Sequence, residues 1–168
     1  MRACVEEKVR TFRTLNDLAL KGEIAVLGST YMADFPFYEL INRCRLENAV
    51  YNRSIEGLTV AEASEILREA VLELRPAKVF LCLEEVEEPR AFKELIERIK
   101  TALPSTAIYA VSLSAEVGTR IKPLCDGKRV CHIGLKADGG YEAVFKRLCC
   151  FFRKKPMDMT DIFAIAAL

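Results

Sequence analysis

Near the middle of the chain, Lys78-Val79-Phe80-Leu81-Cys82-Leu83 is apolar at every position after Lys78. A strand with one face in water alternates apolar and polar residues; this one does not, so both of its faces must be covered. A parallel sheet with helices packed on either side meets that demand. Four other segments read as strands of the same sheet: Glu23-Ile24-Ala25-Val26-Leu27-Gly28, Ala49-Val50-Tyr51-Asn52, Ala107-Ile108-Tyr109-Ala110-Val111-Ser112 and Arg129-Val130-Cys131-His132-Ile133.

Helical spacing fills the gaps between them. A first helix is expected from Glu6 to Leu20, through Val9, Phe12, Leu15, Leu18 and Leu20, with Lys21-Gly22 as its stop. Phe35 to Leu46 is a second, with Pro36 tolerated in the first turn. Leu58 to Leu74 is a third. Its apolar face is Val60, Ala63, Ile66, Leu67, Ala70, Val71 and Leu74; Thr59 and Glu62 form a capping-box pattern, and Arg75-Pro76 ends it. Pro89 to Leu103, stopped by Pro104, and Tyr141 to Phe152 complete the set. Strands alternating with helices predict βαβ units, and so a single three-layer α/β/α sandwich of about five parallel strands. The organisation expected is an N-terminal helix in 1–22, a core in 23–152 and a tail in 153–168. The tail, from Met157 to Leu168, could add a short helix; Ile162, Phe163 and Ile165 are expected to pack on the domain itself.

The charges nearly cancel, 25 Lys+Arg against 24 Asp+Glu, which gives no reason to propose nucleic acid as a partner. Arg153-Lys154-Lys155 reads as a charged helix end. Seven cysteines follow no disulfide framework, and the polar start at Met1-Arg2 leads to the expectation of no secretory signal. Free thiols in a reducing, cytoplasmic setting are expected, with no membrane span and an open oligomeric state.

In a sheet of this kind the functional crevice lies beyond the carboxyl ends of the strands, here the loops after Leu27, Asn52, Leu83 and Ser112. Three of these loops carry a resemblance. Val26-Leu27-Gly28-Ser29-Thr30-Tyr31 is similar to the first block of the SGNH (GDSL-type) hydrolases, two apolar residues followed by G-D-S or G-S-S. Val50-Tyr51-Asn52-Arg53-Ser54-Ile55-Glu56-Gly57-Leu58-Thr59 resembles the second, N-R-G-I-S-G-D-T. Val79-Phe80-Leu81-Cys82-Leu83-Glu84-Glu85-Val86-Glu87 resembles the third, V-F-L-x-I-G-T-N-D. Their order and spacing match as well, and the resemblance covers roughly residues 23–152.

The resemblance implies a flavodoxin-like fold and an esterase or acylhydrolase. Such an enzyme needs a nucleophilic hydroxyl, a general base to take its proton and donors aimed at the developing oxyanion. The nucleophile position is occupied by Thr30, not Ser; Ser29 stands one place early and would serve only if the loop shifted by one residue. Gly57 matches the glycine whose N–H enters the oxyanion hole, and it also reads as a turn glycine before the helix. Val86 stands where the family has an Asn donor, amid Glu84, Glu85, Glu87 and Glu88. Gly140-Tyr141 fits the pair that follows the family's Asp-x-x-His, yet counting back reaches His132 and Leu135, and the motif is not there. His132 is the only histidine, flanked by Cys131 and Ile133, and is a weak candidate base. Asn52, Glu84 and Glu85 are expected on the pocket rim.

Other chemistries find less support. Cys125, Cys131, His132, Cys149 and Cys150 lack zinc-site spacing, so no metal is expected. Cys82 reads as a core thiol. One glycine after Leu27 is too few for a dinucleotide fingerprint, and Ser29 with Thr30 is a thin basis for phosphate, so no cofactor is expected. The sequence thus points to an SGNH-like domain that has lost ester hydrolysis and keeps a binding or regulatory role for a small molecule. The alternatives are an atypical esterase acting through Thr30 or Ser29, and a structural or interaction domain.

Overall fold

The computed structural model describes residues 2–153. The tail segment Met157–Leu168, with Lys154 and Lys155, lies outside the described residues.

Helix α1, Ala3–Asn16, buries Val5, Val9, Phe12 and Asn16, a single stripe one helix face wide. It ends four residues before the expected Leu20, and Leu15, Leu18 and Leu20 are exposed. Asn16 supplies the reason. Its side chain donates to the Glu69 carbonyl at 2.7 Å and to Glu73 at 3.0 Å, while Lys21 Nζ donates to the Asn16 carbonyl at 3.0 Å. The last turn is therefore closed by side chains rather than by more helix.

Five strands form one parallel sheet: β1 (Ile24–Gly28), β2 (Val50–Asn52), β3 (Lys78–Cys82), β4 (Ala107–Ser112) and β5 (Val130–Gly134), in the order β2-β1-β3-β4-β5. Val26 pairs with Asn52 on one side and with Phe80 on the other; Ala110 pairs with His132. Strand order reverses between β1 and β3, which places the ligand crevice of such sheets at the ends of those two strands.

Side chains alternate across the sheet. Leu27, Leu81, Ile108 and Ala110 face one core, built with α1, α4 (Val60–Glu65), α5 (Leu67–Ala70), α6 (Pro89–Ala102) and α7 (Ala115–Ile121). Val26, Phe80, Cys82 and Val111 face the other, under α2 (Thr30–Ala33), α3 (Phe37–Cys44) and α8 (Gly140–Phe152). Phe80 stacks on Tyr109 at 4.7 Å and meets the edge of Phe152 at 4.8 Å, in the offset and edge-on geometries aromatic quadrupoles favour.

Three expectations need correcting. The helix expected over 58–74 is divided into α4, α5 and a 3₁₀ turn, Leu72–Leu74, with breaks at Ile66 and Val71. Both breaks fall on β-branched residues, the stiffest in a helix, while the buried face remains the one expected. Helix α7, capped by Ser114 Oγ on the Val117 N–H, was not anticipated. Pro36 stands at the N-cap of α3 rather than inside its first turn, because residues 30–33 form a helix of their own.

Candidate functional site

Strand β1 ends in a turn that only glycine permits. A Cβ on Gly28 would lie 2.7 Å from Met32 Cβ and 2.9 Å from the Cys82 carbonyl oxygen, both closer than real Cβ contacts come. The next N–H, of Ser29, donates to that same carbonyl at 3.0 Å, and Ser29 becomes the N-cap of α2. Ser29 is 5% exposed and packed beneath the turn. Thr30 is half-buried, and its Oγ1 accepts the Gly57 N–H at 3.0 Å. The structure thus brings the candidate nucleophile and the candidate oxyanion donor into direct contact.

The loop after β2 is held against β1 through its backbone. Arg53 N donates to Val26 O at 2.8 Å, and Ile55 N to Gly28 O at 3.1 Å. Asn52 spends both ends of its amide here: Nδ2 donates to Met32 O at 2.7 Å, and Oδ1 accepts the Ser54 N–H at 3.1 Å. Gly57 has φ +62°, a conformation costly for any residue with a Cβ. Arg2 clamps it from above, donating to the Gly57 carbonyl at 2.8 Å and gripping Glu62 with Nε at 2.7 Å and Nη2 at 2.8 Å. Glu62 is also the capping-box partner of Thr59. The Arg2 guanidinium, followed by the Thr59 N–H, holds the Glu62 carboxyl down at about 2.

Under this loop lies Arg53, 4% exposed. Its guanidinium donates to Asn16 Oδ1 at 3.0 Å and sits 4.9 Å over the Phe12 ring and 5.7 Å over Tyr51. Burial lowers its pKa from the ordinary arginine value. Its Nε, Ser54 Oγ and Tyr31 Oη are buried and find no hydrogen-bond partner among the described residues.

The other loops depart from what a hydrolase needs. Glu84 turns inward, and its carboxylate accepts the Tyr31 N–H, one residue beyond Thr30. Val86 is 1% exposed and belongs to the core, with only its carbonyl engaged, by Arg120 Nη1 at 2.9 Å. The third loop therefore aims an apolar side chain inward, away from the crevice. Glu85, Glu87 and Glu88 line an open cleft of about 310 Å³ with Thr59, Val60, Ala61 and Ala91. Leu135, at the expected histidine position, is 4% exposed, and its N–H is fixed to Ser112 O at 2.8 Å. Tyr141 does approach the crevice, with its ring 5.3 Å from that of Tyr31.

His132 lies elsewhere. β5 is three strands from β1, about 14 Å across the sheet. His132 Nε2 and Ser112 Oγ are 2.9 Å apart and share a hydrogen bond beneath α7, where Gly118 leaves just enough room. Burial, aided by Lys122, pulls the imidazole pKa below its ordinary value. Ser112 was not a candidate in the sequence; the pairing depends on strand register, which the sequence does not display. Among the described residues no group of three or more His, Cys, Asp or Glu side chains could hold a metal ion. Nor is any helix among them long and apolar enough to cross a membrane.

No family model matches the sequence, and no curated protein does. Solved structures are similar to it. A candidate platelet activating factor from Streptococcus pneumonia superposes with a TM-score of 0.75 at 16% identity, covering 89% of this chain and 92% of that one. A candidate acylhydrolase from Bacteroides fragilis gives 0.60 at 13% identity, covering 77% of each chain. A candidate GDSL-like lipase from Parabacteroides merdae gives 0.57 at 12% identity, covering 89% of this chain and 94% of that one. At such identities the likeness is one of architecture, and with the parallel order β2-β1-β3-β4-β5 it supports one conclusion: the chain has the fold of the SGNH, GDSL-type hydrolases.

Proposed function

We propose that this protein no longer hydrolyses esters and uses the crevice at the ends of β1 and β2 to bind a small polar ligand, in a binding or regulatory role. The observation that carries this reading is the position of the only imidazole, paired with Ser112 three strands from Thr30. A hydroxyl nucleophile needs a base within hydrogen-bond reach. Two features support it. Val86 offers no oxyanion donor from within the core. The Glu84 carboxylate on the Tyr31 N–H sets negative charge beside the place where an oxyanion would form. What remains is a neutral donor–acceptor pair, Gly57 N–H and Thr30 Oγ1, next to two aromatic rings.

The test is p-nitrophenyl acetate hydrolysis at neutral pH by the natural protein and by the Ser29→Ala/Thr30→Ala double variant. Equal rates are expected; turnover by the natural protein clearly above the double variant overturns the reading. Thr30→Ser alone should restore nothing, since a missing oxyanion donor costs roughly 10²–10³ in turnover and the proton still has no acceptor. Binding is checked by thermal shift against esters, sugars and nucleotides, where a ligand at about 100 times its Kd stabilises by about 2.7 kcal/mol. A flat response across the panel selects the structural or interaction domain.

One observation favours a second reading, an atypical esterase: the 3.0 Å contact between Thr30 Oγ1 and the Gly57 N–H sets a candidate oxyanion donor beside a candidate nucleophile. Labelling of Thr30 or Ser29 by a fluorophosphonate probe selects it.

A further inference from the structure

On the side of the sheet edge formed by β2, an open groove of about 630 Å³ runs between α3 and the strand. Phe35, Phe37, Tyr38, Ile41, Leu46 and Val50 supply its apolar lining. Tyr38 is 78% exposed, a large ring standing in solvent at the lip. We propose that the segment Met157–Leu168 of this same chain docks along this groove.

Where the chain leaves the described fold argues for it. Asn48 lines the groove, and its Nδ2 donates to the carbonyl of Phe152, the last residue of α8. Lys78 Nζ donates to the Phe151 and Arg153 carbonyls, fixing the direction in which the chain exits. The chain is therefore delivered beside the groove. From Arg153, Met157 is at most about 14 Å away, and the fifteen residues after Arg153 can reach roughly 50 Å. Charge agrees: Lys154 and Lys155 come first, and Glu39 and Glu47 line the groove. So does pattern, since Met159, Ile162, Phe163 and Ala166 recur at i, i+3, i+4 and i+7, the spacing by which a helix lays an apolar face into a groove. Phe35 and Asn52, which also line the groove, meet the turn that carries Thr30. Asn52 holds the Met32 carbonyl, and the Phe35 ring lies 5.9 Å from Tyr31. A docked segment therefore borders the ligand crevice.

The experiment uses the full-length chain with p-benzoylphenylalanine placed at exposed Tyr38, irradiated at low protein concentration and mapped by mass spectrometry. Crosslinking within one chain to a peptide from 157–168 is expected. A crosslink between two chains assigns the groove to a second copy and overturns the proposal, as does the absence of any product beyond Arg153. Phe163→Asp in the full-length chain is the second arm. Amide exchange over residues 38–50 should quicken by roughly tenfold while β3 is unchanged. Unchanged exchange there, or faster exchange around exposed Leu18 and Leu20 instead, places the segment elsewhere and overturns the proposal.

Discussion

The two halves of the crevice differ in what their contacts are made of. At the ends of β1 and β2, the turn through Gly28, Ser29 and Thr30 and the loop through Asn52 and Gly57 bring Thr30 Oγ1 onto the Gly57 N–H. At the ends of β3 and β5, Val86 and Leu135 are buried in the core, and His132 pairs with Ser112. The first half is made of backbone hydrogen bonds and close approaches that the sheet itself needs: Ser29 N to Cys82 O, Ile55 N to Gly28 O. The second half is made of apolar side chains packed into the cores.

Breaking the first half should cost most. Gly28→Ala forces a Cβ onto Met32 and the Cys82 carbonyl, so a loss of about 3 kcal/mol is expected, seen as a melting temperature lower by roughly 6–12 °C. If calorimetry finds the variant as stable as the natural protein, the turn is not the constraint described. Next comes Val86→Asn, which places in the second half the residue that the resemblance implies there. It buries an amide with no partner, so about 2 kcal/mol of stability should disappear with no hydrolysis gained. A gain in p-nitrophenyl acetate turnover from this single change would show that the loop can still present a donor. His132→Ala should cost about 1 kcal/mol, because it strands the buried Ser112 hydroxyl, and should leave ligand shifts at the crevice untouched. An altered ligand response would tie His132 to Thr30 and undo the separation of the two regions.

The smallest effect is a pH dependence. Arg2 holds the folded-state Glu62 carboxyl at about 2, below its ordinary 4.5. The stability from this pair is complete above about pH 4.5 and is lost as pH falls toward 2. The pair is partly in solvent, so screening keeps the effect modest. Arg2→Ala should flatten the melting-temperature profile across that window; an identical profile would mean the clamp on Gly57 adds nothing.

Much of this could be read from the chain. Lys78–Leu83 demanded a covered central strand, and the Thr59–Glu62 box marked a helix start that the structure shows closed in both directions. Helix α7 escaped because Ala115–Ile121 is short and interrupted by Gly118, so periodicity had little to register; Ser114 as a cap was the available signal. At the site, the Gly28 and Gly57 loops were legible because turns demand particular residues. The inward course of Val86 was not, since an apolar residue in an acidic loop says nothing about which way the backbone carries it. Nor was the Ser112–His132 pair, which exists only because β4 and β5 align Ala110 with His132.

The place of β1 between β2 and β3 also sets a timetable. Its long partner is β3, which pairs Lys78 with Ile24, and the turn that carries Thr30 is fastened to Cys82 at the end of that same strand. On a ribosome the first half of the chain therefore emerges with its middle strand unpaired on one side. Neither that edge nor the turn can close until residue 82 has cleared the exit tunnel. Long-range pairing of this kind slows folding and leaves an apolar edge waiting for its neighbour. A nascent chain halted before Lys78 should recruit holding chaperones, and one halted well past Cys82 should not.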